Sequence, residues 1–285
     1  MSARLSAMTR TSILVLALGA LSACSTTQEL QPTEQEAALA EALQERELAP
    51  ATAEERDAVR NQDLLTQAAF WAEAHELNPG DREAAFELSR VLRLLGGAQR
   101  SAEIARQSLA LYPDDIGLLG QYGLALTAMG RGPSALEPLS RAATDPGAGW
   151  RIINALGVAL EQAGRKDAAR ARFNQALLLA PGEPAIESNL ALSYALDGQA
   201  EQAEAMLRRA ARSDRATPQV RQNLALVVAL QGRFDEAEQI ALIDATPEMA
   251  EANMDYVRSL MSNPRRWDAL AQTAEPRRQT PRLRR

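Results

Sequence analysis

Two residues of this 285-residue chain carry side chains suited to nucleophilic or metal chemistry near neutral pH, and each occurs once: Cys24 and His75. A thiol–imidazole pair needs a third group to orient it, and a structural zinc needs four ligands. His75 has no cysteine or serine motif beside it. Carboxylates are plentiful, 37 in all, but they recur at helical surface spacing, which describes solvated faces rather than an acid–base pair. Gly130-Arg131-Gly132 lacks the Gly-Lys-Ser/Thr with which a phosphate-binding loop seats a nucleotide. These residue types point away from an enzyme, and to no cofactor, metal or small-molecule substrate. The chemistry that remains is at Cys24.

Cys24 closes Leu21-Ser22-Ala23-Cys24, after Arg4, Arg10 and an apolar run from Ile13 to Ala20. A basic start, a short apolar stretch and small residues before a cut describe an export signal. The run falls short of the roughly 20 apolar residues that span a bilayer. The four residues resemble the lipobox of bacterial lipoproteins. That resemblance implies that residues 1–23 are removed and that Cys24 becomes the lipidated first residue, a membrane anchor. Met8 is an alternative start, because Met8-Thr9-Arg10 alone supplies the basic region. A single cysteine allows no intrachain disulfide. Ser25, where an aspartate would signal retention, implies by the sorting rule of such lipoproteins the periplasmic face of the outer membrane. Without Arg4 and Arg10 the chain keeps 29 basic residues against 37 acidic ones. So acidic a body does not suit nucleic acid, which needs a basic face.

The elements that would position a site follow from a period. Gly96, Gly130, Gly164, Gly198 and Gly232 stand 34 residues apart, the period of the tetratricopeptide repeat (TPR), a helix-turn-helix unit. The expected fold is all-α: a TPR superhelical solenoid of antiparallel helix pairs. Five units occupy residues 82–249, starting at 82, 116, 150, 184 and 218. Each glycine marks the reversal after a first helix. Seven residues before it lie Ser89, Gly123, Gly157, Ala191 and Ala225, and five residues after it lie Ser101, Ala135, Ala169, Ala203 and Ala237. Small residues in both columns let paired helices approach closely. Pro79, Pro113, Pro146 and Pro181 end second helices.

Flanking segments follow by composition. Residues 24–50, rich in Gln, Glu, Ala and Thr, read as a flexible tether. Residues 51–81, with Phe70 and Trp71, read as a degenerate first repeat, since terminal repeats are atypical. Residues 250–262 read as a capping helix with Ala250, Met254, Val257 and Met261 on one face. Residues 263–285 read as a basic disordered tail that is either solvated or in contact with anionic lipid or an acidic partner.

In arrays of this type, positions 2, 5, 6, 9, 12 and 13 of each first helix line the concave groove. Position 9 holds Arg90, Leu124, Val158, Leu192 and Leu226. Position 13 includes Leu94, Leu196 and Leu230, and the polar members are Arg151, Asn154, Asn189, Gln222 and Asn223. The chaperone-type arrays that clamp terminal carboxylates have Asn at position 9, where this chain has Leu and Val. An apolar groove with a few amides suits an amphipathic helix or an extended apolar segment of a protein partner. Packing of these leucines between repeats is the alternative use for them.

Arg221-Gln222-Asn223-Leu224-Ala225-Leu226 through Gly232-Arg233-Phe234, with Glu236-Ala237-Glu238 and the helix from Ala252-Asn253-Met254 to Leu260, resembles the TadD family. These are TPR lipoproteins of the Flp (tight adherence) pilus assembly system. The resemblance implies an outer-membrane accessory factor that binds the secretin or another pilus assembly component. A type IV pilus or type II secretion pilotin, or an envelope adaptor regulating peptidoglycan enzymes, shares the same architecture.

If Cys24 is the sole lipid anchor, labelled palmitate enters the wild type and is absent from Cys24→Ser, which accumulates as uncleaved precursor. Equal labelling of the two proteins would exclude the anchor.

Overall fold

The computed structural model describes residues 51–262; the signal segment, Cys24, the tether and the basic tail lie outside them. The described residues form thirteen α-helices and no strand. Ala53–Val59 (α1) and Leu64–Leu77 (α2) come first. Five pairs follow: Arg82–Leu94 and Ala98–Leu109 (α3, α4), Ile116–Ala128 and Gly132–Ala142 (α5, α6), and Trp150–Gln162 and Lys166–Leu179 (α7, α8). The last two are Pro184–Ala195 with Ala200–Ala211 (α9, α10) and Pro218–Leu230 with Phe234–Ala241 (α11, α12). Pro247–Met261 (α13) closes the series. This is a TPR solenoid. Each helix packs on the next, and each first helix also packs on the first helix of the adjacent repeat.

Every first helix stops in the same way. The glycines at 96, 130, 164, 198 and 232 have φ between +71° and +87°, the left-handed region that costs a side chain most. The N–H one residue later then reaches the carbonyl five residues back, as Gly97 to Leu92, Arg131 to Leu126 and Arg165 to Leu160, each at 2.8 Å. That closure satisfies carbonyls the helix end would otherwise leave bare. Four of the five first helices start with one of two devices, and α7, after Gly149, has neither. Asp81 and Asp115 accept from the backbone N–H of Ala84 and Leu118, whereas α9 and α11 begin with Pro184 and Pro218, whose missing N–H costs nothing there.

The two small columns meet directly in the first pair. The Ser89 hydroxyl donates to the Ser101 carbonyl at 3.0 Å across the first pair, with both residues fully buried. In the next two pairs the crossing is filled by a bulky partner from the second helix. A Cβ placed on Gly123 would collide with Leu139 Cγ, and one on Gly157 would lie 2.5 Å from Phe173 Cε1. The fourth pair sets Ala191 in one core cluster with Leu207, and the fifth sets Ala225 with Ala241. Size therefore trades across the pair: the smallest residue on the first helix accompanies the largest on the second. Burying a side chain such as Phe173, 1% exposed, contributes about 1.5–3 kcal/mol.

Polar ties link consecutive repeats. The Tyr112 hydroxyl donates to the Gly80 carbonyl at 2.6 Å, and Arg215 of the fourth repeat meets Glu183 of the third at 2.9 Å. Glu204 on α10 accepts from Arg233, Gln231 and Arg208, and these bonds, Arg233 first, hold its carboxyl down at about 2. At the N-terminal end Trp71 is fully buried, edge-on to Phe70 at 5.0 Å, with the Arg56 and Arg60 guanidiniums over its ring. These arginines are themselves held by Asp81 and Glu83. A capped aromatic thus covers the core that an open-ended stack would expose.

At the other end Thr246 accepts from Met249 N–H and starts α13 at Pro247. Ala250, Met254, Val257 and Leu260 are buried, while Met261, expected on that face, is 44% exposed. Leu260 lies three residues beyond Val257 and stays on the stripe, whereas Met261 has rotated past its edge.

The size trade predicts non-additivity. Gly157→Ala should lower stability by about 1–3 kcal/mol through overpacking against Phe173. Combining it with Phe173→Leu recreates the fourth pair's Ala–Leu arrangement. Urea unfolding of the double variant should show less loss than the sum of the single changes, with a coupling of at least roughly 0.5 kcal/mol. Strict additivity would contradict this packing.

Candidate functional site

The first helices α3, α5, α7, α9 and α11 touch one another in sequence and so build one continuous layer, to which α13 adds behind α11. Residues with the same position number align along it. Leu124, Val158, Leu192 and Leu226 are each half-buried, resting on core clusters while keeping part of the side chain outside. Leu230 is half-buried as well, and Leu94 and Leu196 are 49% and 50% exposed. The layer therefore carries an apolar line with raised points at Leu94 and Leu196.

The amides behave differently. Asn189 donates to the Asn154 side-chain carbonyl at 3.1 Å, joining α9 to α7. Asn223 donates to the Ser188 hydroxyl at 2.9 Å and accepts from Gln219 at 3.0 Å, joining α11 to α9. Asn223 is only 8% exposed. These amides are rungs between first helices, and Asn223, which also borders the concavity between α11 and α13, is held by internal hydrogen bonds. Gln222, one residue earlier, is exposed. Arg90 is taken up by Glu87 at 2.6 Å and Gln67 at 2.7 Å, whereas Arg151 is exposed, with its guanidinium 4.4 Å from the Trp150 ring centre.

Two concavities lie on this layer. The larger, about 550 Å³, runs across α3, α5 and the start of α7 and includes Arg90, Leu94, Leu124 and Arg151. Arg93 and Gln121 also line it, bonded to each other at 3.3 Å. Sequence pattern alone does not single them out, although they occupy positions 12 and 6 of the same register. Burial, reinforced by the charges of Arg90 and Arg151, pushes Arg93 below the ordinary arginine value. The smaller concavity, about 250 Å³, lies between α11 and α13, bounded by Gln222, Leu226, Asn253 and Tyr256. Tyr256, 58% exposed, is a further aromatic there that helical pattern alone could not separate from an ordinary surface residue.

His75 is half-buried on α2, and desolvation pushes its imidazole below the ordinary value. Among the described residues no group of three His, Cys, Asp or Glu side chains converges on a common point.

A family model described as Tetratricopeptide repeat matches residues 151–183. No curated protein matches the chain. Among solved structures, PilW, a widely conserved type IV pilus biogenesis factor, superimposes on 76% of this chain and 93% of its own at 19% identity, with a TM-score of 0.52. A thermophilic TPR protein from Thermus thermophilus is 24% identical over 58% of this chain and 90% of its own, with a TM-score of 0.49. MamA (MSR-1) is 26% identical over 52% of this chain and 84% of its own, with a TM-score of 0.44. The PilW likeness shows a shared fold.

The rung role of Asn223 is testable. Asn223→Ala leaves the buried Ser188 hydroxyl without its partner and should cost about 1–3 kcal/mol. Gln222→Ala, one residue away but exposed, should stay within about 0.5 kcal/mol of wild type. Equal thermal melts for the two variants would remove the rung.

Proposed function

We propose that this chain is a non-enzymatic TPR scaffold, held by lipid on Cys24 at the periplasmic face of the outer membrane, that assists assembly or localisation of the Flp pilus secretion apparatus. It does so by binding a segment of the secretin, or of another pilus assembly component, along the layer of first helices. The fold is that of a protein-binding scaffold. The observation that carries the reading is the set of half-buried Leu124, Val158, Leu192 and Leu226, one on each of four successive first helices, with Leu94 and Leu196 exposed on first helices of the same layer. Half-buried aliphatic side chains at one position of successive first helices offer a partner helix or strand apolar anchor points, and little ordering is needed to use them.

The pilus assignment draws on the TadD-like stretches in α11 to α13. PilW, a pilus biogenesis factor with the same fold over most of both chains, also favours a second reading, in which the chain serves as a type IV pilus pilotin. Both readings use the same surface and the same kind of partner.

Leu192 and Leu226 occupy equivalent positions on adjacent first helices. Changing both to Gln removes apolar anchorage of about 1.5–3 kcal/mol per partner side chain, so capture of secretin from detergent-solubilised membranes should fall more than tenfold while circular dichroism stays helical. Wild-type recovery of the secretin by the folded double variant would reject the groove.

A further inference from the structure

The larger concavity differs from the rest of the layer in charge. Arg90, Arg93 and Arg151 line it, and Asp145 is the one carboxylate among its lining residues. Asp145 accepts from the Gly147 N–H at 2.8 Å, and Glu87, nearby, is held by Arg90. Neither Arg93 nor Arg151 has an ion-pair partner among the described residues: Arg93 donates to Gln121, and Arg151 lies over Trp150. Arginine stays protonated at any physiological pH, so a half-buried guanidinium with only an amide for company leaves its charge poorly compensated. The floor is apolar. Gly117 and Gly120 let Phe86 and Ile152 close in, since a Cβ at either glycine would lie 3.1 Å from the Phe86 ring or 3.0 Å from Ile152 Cδ1.

We propose that this cleft receives an Asp or Glu side chain of the partner's bound segment, with Arg93 and Arg151 as its binding residues. The proposal rests on the reading that the first-helix layer binds a protein segment, and it adds the chemistry of that segment. Paired guanidiniums meet a carboxylate through charge-assisted, bidentate bonds. The apolar floor accommodates the aliphatic stem beside it. The excess positive charge is local, in a chain with a formal net charge of −6, so it acts over about a Debye length and not as a general attraction for anions. The layer thus has a direction: an acid-reading end on α3, α5 and α7, and an apolar end on α9 and α11, where Leu192 and Leu226 lie. The matching segment is bipartite, acidic at one end and apolar at the other.

The full chain, purified in detergent, serves to select peptides from a random displayed library, and the selected peptides are measured by fluorescence anisotropy. Wild-type selections should be enriched in Asp or Glu. Arg93→Gln with Arg151→Gln should bind them at least about tenfold more weakly, with a smaller salt dependence and an unchanged helical spectrum. Arg93→Lys should retain part of the affinity. Leu192→Gln with Leu226→Gln should weaken binding without altering the acid preference. Acid-free peptides from the wild type, or equal affinity of the arginine double variant, would overturn this proposal and leave the groove intact. A selection yielding no binder would overturn the groove reading and this proposal with it. Phosphatidylglycerol vesicles retained by the wild type and not by the arginine variant, with no acidic peptide enriched, would reassign the cleft to lipid headgroups and overturn the proposal.

Discussion

Two helices of a repeat can lie flat on one another only if the crossing point holds little more than one side chain's volume, and the whole array depends on that limit. Ser89, Gly123, Gly157, Ala191 and Ala225 keep the first helix bare at the crossing, and the buried Ser101, Ala135, Ala169, Ala203 and Ala237 keep the second helix close. Where glycine empties the site, Leu139 or Phe173 fills it. Because protein interiors are packed near crystal density, one methyl group more or less on either side changes the angle of a pair. An altered angle would be passed to every repeat stacked beyond it, since each unit is supported only by its neighbours.

That packing leaves the first helices with two duties. They must hold adjacent repeats together, and they also form the layer a partner would meet. The two duties are divided by residue type. Amides such as Asn189 and Asn223 join one first helix to the next, while aliphatic side chains at position 9 stay partly open. Arginines gather where the layer is concave, across α3, α5 and α7. The surface offered to a ligand is therefore what remains after stacking has taken the residues it needs.

The period made the fold readable. Glycines 34 residues apart mark places where φ must be positive, and the first helices begin at Arg82, Ile116, Trp150, Pro184 and Pro218. A strict register with no insertions converts one correct position into five. The site was less legible for a physical reason. Position numbers say which way a residue faces, but not whether a neighbour has already taken its hydrogen bonds. Asn223 and Gln222 read alike in sequence, yet Ser188 draws the first inward while the second stays in solvent. Arg93 and Gln121 gain meaning only when α3 and α5 bring them together, and no pattern within one helix reports that. Met261 and Leu260 show the same limit at the end of a stripe, where one residue separates buried from exposed.

The central claim is that the first-helix layer is where the partner lies. Photo-crosslinking in intact cells tests it most directly, with a benzophenone amino acid placed either at Leu192 or at Leu178, an 83% exposed residue on the second helix α8. The account predicts one discrete protein adduct from position 192 and none from position 178. An adduct from position 178 with none from 192 would contradict it.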